Sequence, residues 1–498
     1  MGALSLSDAT TLESHNPATG ELVGRVPVLD AQAVRAVVER ARAAQAAWGA
    51  LPVRDRAERV AGLRDQIVRR ADEICQRIQQ ECGKPHTEAL TTEVAVVVDW
   101  ANYFVRRAPD MLRPETIRLH LLKTRRSYLH HVPRGVVGLI ASWSLPFAIP
   151  MCETVMALLA GNAVVLKPSE ATPLVALLAK EIHDASGLPP DLFQVVPGPG
   201  ETGAALIDAG IDYCLFTGST ATGRKVAAAC GERLIPYVLK LSSKAAAIVC
   251  ADADLERTAR ALTWGAFCNS GQVCGSVERA YVHEDIHDAL IDRIVAEVGR
   301  LRQGDPALGE VDLGSMTCRG RRDIVRAQVQ RAIAQGATAR TGGSPQQGPG
   351  LFFPPTVLTG CHQDMEIMRE EIFGPVLPIM RVSSEEEAVE LTNASRLGLV
   401  GYVFTRDVAR GRRLAERLCA GTVMVNDVLL TLAAPETPWA GVGEAGNGWR
   451  RGAQGLRDLC QLRHVNYDRI TLRQDPWWFP YRDRLYKRVL RWLRYLFR

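Results

Sequence analysis

The spacing of apolar and polar positions divides the chain into regions of different character. Residues 12–27 read as strand and turn, with Asn16-Pro17-Ala18-Thr19-Gly20-Glu21 supplying the turn chemistry. Residues 31–48 and 55–82 carry apolar positions at helical spacing, the second stretch ending at Cys82-Gly83-Lys84-Pro85, a Gly-then-Pro stop. A further helix is predicted from about Glu88 to Arg107. These Arg-rich amphipathic helices read as covers for a sheet that comes later, with no chemistry of their own. Residues 115–134 alternate apolar and charged positions, which predicts a two-stranded antiparallel excursion.

From Gly135 the pattern changes. The short β runs GVVGLIA, AVVLKPS, FQVVPG, YCLFTGS and PYVLKL alternate with helical runs near 149–160, 172–186, 201–210 and 220–231. That alternation predicts a parallel, doubly wound α/β sheet with a ligand at the carboxyl ends of its strands. A second α/β section is expected over 244–426, with helices near 255–269, 286–302, 320–335, 384–395 and 407–419. A Gly-rich run, Gly441 to Gly455, leads to a strand-like segment, Leu459 to Val465, and a tail.

Composition narrows the class. A chain of 498 residues exceeds one ordinary core, and 47% hydrophobic with 23% charged residues is the balance of a globular enzyme. The twelve Cys include no C-x-x-C pair and no metal-ligand spacing with His, so neither zinc nor a disulfide framework is expected. No run of eighteen apolar residues is present, and the opening MGALSLSDATTLESHN lacks a secretory pattern, so the cytoplasm is the expected compartment. MGALSLS is similar to a myristoylation opening, a reading that requires a eukaryotic host. Net charge is +5, but residues 481–498 alone carry six Arg and one Lys against one Asp, +6, leaving −1 for the remainder. A neutral body speaks against nucleic-acid binding.

The candidate chemistry centres on Phe267–Arg279, FCNSGQVCGSVER, where Cys274 stands in a turn between a helix end and a β run. Such a turn can expose a thiol and lower its pKa, although a lone Cys is more often a small buried apolar residue. NPATGE, LKPSE, FTGSTATG, GQVCGSVER, EEIFGPV and WAGVGEAGNG follow one another in the order of the aldehyde dehydrogenase superfamily, which the chain resembles from about Asn16 to Val465. NDVLL followed by WAGVG is similar to the fatty-aldehyde and semialdehyde branches, and DPWWFPY resembles the tail of bacterial members linked to carotenoid dialdehydes.

The resemblance implies a Rossmann-type NAD-binding domain (12–114 and 135–243), a catalytic domain (244–436) and bridging strands (115–134 and 437–467), with the basic tail at 468–498. It implies a homodimer or tetramer built through the bridging strands. It places Lys167 and Glu170 on the adenosine ribose, Gly200 and Gly203 beside the adenine, and Gly218 and Ser219 at the pyrophosphate. Glu371 and Phe373 would hold the nicotinamide ribose and ring, with Trp143, Phe216 and Leu241 completing the cofactor wall. A carboxylate at Glu170 would repel a 2′-phosphate, so NAD is expected over NADP. Read without the family, Ser169 is a helix cap and Glu371 a solvated helix-end carboxylate.

The resemblance makes Cys274 the nucleophile that adds to an aldehyde, loses hydride to NAD and is then freed by hydrolysis. The sequence departs from the family at two supporting positions. Lys240 of KLSSK replaces the Glu that activates water, Ser144 of SWSLPF replaces the oxyanion Asn, and Ser242 and Ser243 replace two glycines. An ammonium near Cys274 favours its thiolate, but a Lys at its ordinary pKa is no base at neutral pH. Losing one oxyanion donor costs about 10²–10³ in rate, and losing a positioned base about 10²–10⁴. Glu153 and Glu278 are the nearest acidic alternatives, each read as structural. The expected functions are NAD-dependent oxidation of an apolar aldehyde, thioester formation with impaired hydrolysis, or an NAD-binding pseudoenzyme.

In the tail, Leu485, Val489, Trp492, Leu493 and Leu496 fall on one helical face, and Arg484, Lys487, Arg488, Arg491, Arg494 and Arg498 crowd the rest. That pattern fits an anionic membrane surface, and equally an arm packed on a partner subunit or over the substrate entrance.

Overall fold

The computed structural model describes residues 11–471, 473–475, 477–481 and 483–497. The MGALSLS opening and Arg498 lie outside them. Two parallel α/β sheets dominate, and the fold class is the doubly wound α/β expected. The first runs in the order Gly446–Asn447, Tyr237–Lys240, Tyr213–Thr217, Val136–Ile140, Ala163–Lys167, Phe193–Val195. All its pairings are parallel except that of Gly446–Asn447, which adds antiparallel to Tyr237–Lys240. The strands Val136–Ile140, Ala163–Lys167 and Tyr213–Thr217 are buried at every position, as parallel strands covered on both faces must be. The chain builds outward from Val136–Ile140 to Phe193–Val195, then returns to the other side. The order therefore reverses between Val136–Ile140 and Tyr213–Thr217, which opens a crevice at their carboxyl ends.

The second sheet runs Thr338–Ala339, Thr356–Thr359, Val376–Val382, Arg279–His283, Ala246–Val249, Val400–Phe404, Thr422–Val425, and only its first pair is antiparallel. Several of these strands are four residues or shorter, too brief for an alternating pattern to show in the sequence.

The helices follow the predicted spacing with local differences. The stretch 55–82 splits into Val53–Arg69 and Ala71–Cys82, because Arg70 leaves helical geometry at φ −105°, ψ 21°. Gly83 then stops the second helix in the left-handed region, φ 71°. The following helix begins earlier, at His86, widens into a π turn at Leu90–Val94 and continues from Ala95 to Met111. The Lys84 ammonium and Glu93 carboxylate, both fully buried, form an ion pair. Glu93 Oε2 also accepts from the Phe147 and Ala148 amides at 2.8 and 3.1 Å, satisfying orphan donors at the start of the helix Ala148–Leu159.

By packing, Met1–Leu112 and Val132–Gln461 form one unit, and Arg113–His131 and Leu462–Arg498 another. In the second, a sheet ordered Cys460–Asp468, Arg125–Pro133, Glu115–Ile117 contains the predicted antiparallel pair. Arg125 ties it to the tail through ion pairs of 2.7 Å with both Asp468 and Asp475. The strand expected over Leu459–Val465 runs Cys460–Asp468, and the tail contains a helix, Asp483–Leu496.

Candidate active site

The three residues given catalytic roles from the sequence (Cys274, Lys240, Ser144) and the eleven given cofactor roles all border one cleft of about 710 Å³ at the carboxyl ends of the first sheet. Ala141–Ser144 follow the central strand, and Lys167 ends the next one. Lys167 Nζ meets Glu170 Oε2 at 3.2 Å, so the buried ammonium has a carboxylate partner at the cleft wall. On the far side, Gly218 leads from Tyr213–Thr217 into the helix Thr220–Glu232, and Ser219 caps it by accepting from the Thr222 amide. The Gly218 amide is not free, because it donates to Lys240 O at 3.1 Å. Any anion there is drawn by the helix dipole and the remaining amides. A side chain at Gly218 would strike the Phe216 ring at 2.6 Å, and a Cβ on Gly200 would meet nothing within 4 Å.

Across the cleft, Phe373 adopts φ 52° and receives the Trp143 ring edge-on, centroids 5.4 Å apart. Its backbone is held by Glu278, whose oxygens accept from the Ile372 and Phe373 amides at 2.9 and 2.8 Å and pair with Lys244 at 3.2 Å. Glu278 is thus committed to holding the chain. Glu371 accepts from the Ser243 amide at 2.8 Å, and burial together with the Glu278 charge pushes its carboxyl up to about 7. Ser242 Oγ meets the Thr220 amide at 3.4 Å, and Ser243 Oγ is buried without a partner among the described residues.

Cys274 stands between this cleft and a second, mostly apolar cavity of about 210 Å³. Its loop is shaped by Asn269 and Ser270, both in the left-handed region at φ 54° and 52°. The buried Asn269 amide donates to Ser144 O at 2.8 Å and to Gln272 O at 3.0 Å. Gln272 answers through Nε2 to Asn269 O, and its Oε1 accepts from the Thr317 amide, both at 2.9 Å. Gly271 passes so near Gly374 that a Cβ would lie 2.1 Å from its carbonyl oxygen. The thiol is therefore held by a satisfied network, which the sequence reading missed; Asn in a tight run before the Cys was its only signal, through tolerance of positive φ.

Lys240 ends the strand Tyr237–Lys240 and also borders both cavities. Burial pulls its ammonium below the ordinary lysine range; the facing Cys274 opposes that shift, while Arg451 and Arg450 add to it. Ser144 is buried, and its hydroxyl lies 3.1 Å from that of Ser142. Glu153, one proposed alternative base, lines the apolar cavity but is paired with Arg450 at 3.4 Å.

The apolar cavity contains what the sequence did not reveal. Arg451, at φ 70°, is wedged between the Trp100 and Trp439 rings at 5.2 and 4.8 Å, and donates to Thr431 O at 3.1 Å. Arg450 donates to Thr217 Oγ1 and Phe216 O, both at 2.7 Å. Leu145, Ile149, Trp264, Val273, Leu429 and Leu430 supply apolar wall. Three cations thus surround a thiol at the end of a greasy pocket. Helices read as bare covers contribute Glu88, Val96 and Trp100 to its lining, so they are part of the site.

The comparisons agree with this geometry. The aldehyde dehydrogenase family model matches residues 5–465. A 4,4'-diapolycopene aldehyde oxidase of Methylomonas is 38% identical, over 95% of this chain and 88% of its own. The crystal structure of a Mycobacterium tuberculosis aldehyde dehydrogenase complexed with NAD+ superposes with a TM-score of 0.88 at 33% identity, covering 93% of this chain and 95% of that one. An NADP-dependent Escherichia coli enzyme gives 0.88 at 27% identity, covering 92% and 95%. With its strand order, its cleft and its cysteine loop in place, the chain belongs to the aldehyde dehydrogenase family.

Proposed function

We propose that this protein oxidises apolar aldehydes with NAD, through Cys274, and that hydrolysis of the resulting thioester is its slow step. The observation that carries the reading is the position of Cys274 and Lys240 at the junction of the two cavities. The cleft fits a dinucleotide: open space at Gly200 and a helix start beside Gly218 are features a bound ligand would fill. In this reading Lys167 and Glu170 hold the adenosine ribose, and Glu170 disfavours a 2′-phosphate. Trp143, Phe216, Leu241 and Phe373 wall the rings, and Glu371 accepts from the second ribose. Bound NAD supplies the hydride acceptor. The first sheet with its covering helices serves as the cofactor domain and residues 244–436 as the catalytic domain. The strand Cys460–Asp468, exposed at eight of its nine residues, is the surface for self-association.

The Lys240 ammonium stabilises the Cys274 thiolate, which adds to the aldehyde carbon. The developing oxyanion takes hydrogen bonds from Ser144 Oγ and the ammonium. Once hydride has left, a thioester remains on Sγ. The Lys240 ammonium, whose neutral form burial and Arg451 favour, then releases its proton to solvent; the amine takes a proton from the water that attacks the thioester, the acid departs, and Sγ recovers its thiolate beside the regenerated ammonium.

Rapid mixing with NAD and a panel of medium- and long-chain aldehydes tests this. The expected result is one NADH per site formed quickly, followed by steady turnover slower by about 10²-fold. A second reading, an NAD-binding protein without turnover, is favoured by the commitments of Glu153, Glu278 and Glu371 to other partners. NAD binding with no burst for any aldehyde would establish that reading and sink the first.

A further inference from the structure

We propose that the C-terminal helix Asp483–Leu496 docks this protein on an anionic lipid bilayer. At about 100° per residue the helix divides into two sectors. Arg484, Lys487, Arg488, Arg491 and Arg494 fall within an arc of about 120°, and Leu485, Tyr486, Val489, Leu490, Trp492 and Leu493 occupy the opposite side. No cation enters the apolar sector.

Leu485 and Leu490 are half-buried, and the rest of the apolar side is open. Tyr486 is 68% exposed, Val489 43%, and Trp492 and Leu493 41% each. None of the five cations forms an ion pair among the described residues. Just before the helix, Trp477, Trp478, Phe479 and Tyr481 are also exposed. Water gives no reason to display so many large aromatics beside a greasy helix face. A bilayer interface does: Trp and Tyr settle at headgroup depth, apolar side chains enter the acyl boundary, and Lys and Arg meet lipid phosphates. Charge complementarity selects anionic headgroups, because the helix adds five positive charges against the single Asp483. At 14 residues the helix is too short to span, so it lies along the surface.

Co-sedimentation of the full chain with phosphatidylglycerol-containing vesicles and with pure phosphatidylcholine vesicles tests the proposal. Binding to the anionic vesicles should be stronger by about 10-fold or more and should weaken as salt rises. Replacing the five cations together (R484Q, K487Q, R488Q, R491Q, R494Q) should abolish that preference. The pair W492S and L493S should weaken binding by about 10-fold while keeping the charge. Both variants should match the parent in thermal midpoint and in mass by light scattering. Absence of wild-type binding, or equal binding by the variants, overturns the proposal. So does a drop in assembly mass without vesicle binding, which would show the helix packed on a second copy.

Discussion

The two cavities that meet at Cys274 are built by opposite means. The cleft at the strand ends is made of short motifs, each lying within a few residues of a strand or helix terminus. The apolar cavity is made of single side chains from distant parts of the chain: Trp100, Ile149, Lys240, Trp264, Leu429, Arg451. The difference is also electrostatic. The cleft is lined by the carboxylates Glu170, Glu201 and Glu371 as well as by Lys167, Lys225 and Arg321, whereas the cavity sets Arg450 and Arg451 beside the shared Lys240, with Glu88 and with Glu153 paired to Arg450. A cationic pocket helps every step in which negative charge grows on sulfur or oxygen. It offers no free carboxylate at Glu153 for the step that needs a proton removed, since Glu153 is paired with Arg450. One half of the reaction is thus better supported than the other.

The strongest way to separate the two regions is Cys274→Ala. The NADH burst should vanish, a loss on the order of 10³-fold or more, while NAD binding followed by fluorescence stays within about twofold. Loss of both together would show that the two cavities are one cooperative site. Lys240→Glu comes next. Arg450 and Arg451 would hold the new carboxylate ionised, so steady turnover should rise about 10²-fold in stopped-flow assays. An unchanged rate would move the deficit to Ser144, with Ser144→Asn as the follow-up.

Arg451→Met should act more mildly. Removing that guanidinium lets the Lys240 pKa rise toward its ordinary value, leaving less neutral amine at neutral pH. Steady turnover at pH 7 should fall about 3- to 10-fold and its pH profile should move to higher pH, with NAD affinity unchanged. The smallest effect belongs to the cleft. Glu371 sits at about 7, and its ionised form is the better acceptor, so NAD affinity measured by calorimetry should weaken as pH drops below about 7. Glu371→Gln should flatten that dependence. Folding responds in the opposite sense: a raised carboxyl pKa makes its contribution to stability fall as pH rises from the unfolded value of about 4.3 through about 7.

The contrast explains what could be read from the chain. Strand–helix alternation announced the first sheet, and Lys167, Glu170, Gly218 and Glu371 were recognisable because each stands in a local motif. Arg451 was not, since Gly441 to Gly455 reads as a flexible glycine run until its backbone is seen to turn the guanidinium between two tryptophans. Asn269 matters through a positive φ, which only its residue type hinted at, and through a bond to Ser144 O, which has no one-dimensional pattern. The Lys84–Glu93 pair was hidden for the same reason: one charge lies in the stop after a helix and the other nine residues on in the π turn of the next, yet the two are buried together. Removing one partner would leave the other charge buried and uncompensated, at a cost of about 3–5 kcal/mol.

The strand Gly446–Asn447 joins the sheet directly beside Lys240, about two hundred residues after it, and the Arg450 next to it reaches the preceding strand. During synthesis the first sheet therefore waits with an open edge at the position that will face the reactive thiol. Closing a loop of that length is entropically slow. A ribosome-bound or truncated chain lacking its last sixty residues has a cysteine, a lysine and a cleft but lacks the Arg450 and Arg451 cations and the Trp439 stack. The cavity beside Cys274 is thus completed last, and a prematurely released chain carries that thiol in a pocket missing two of its three cations.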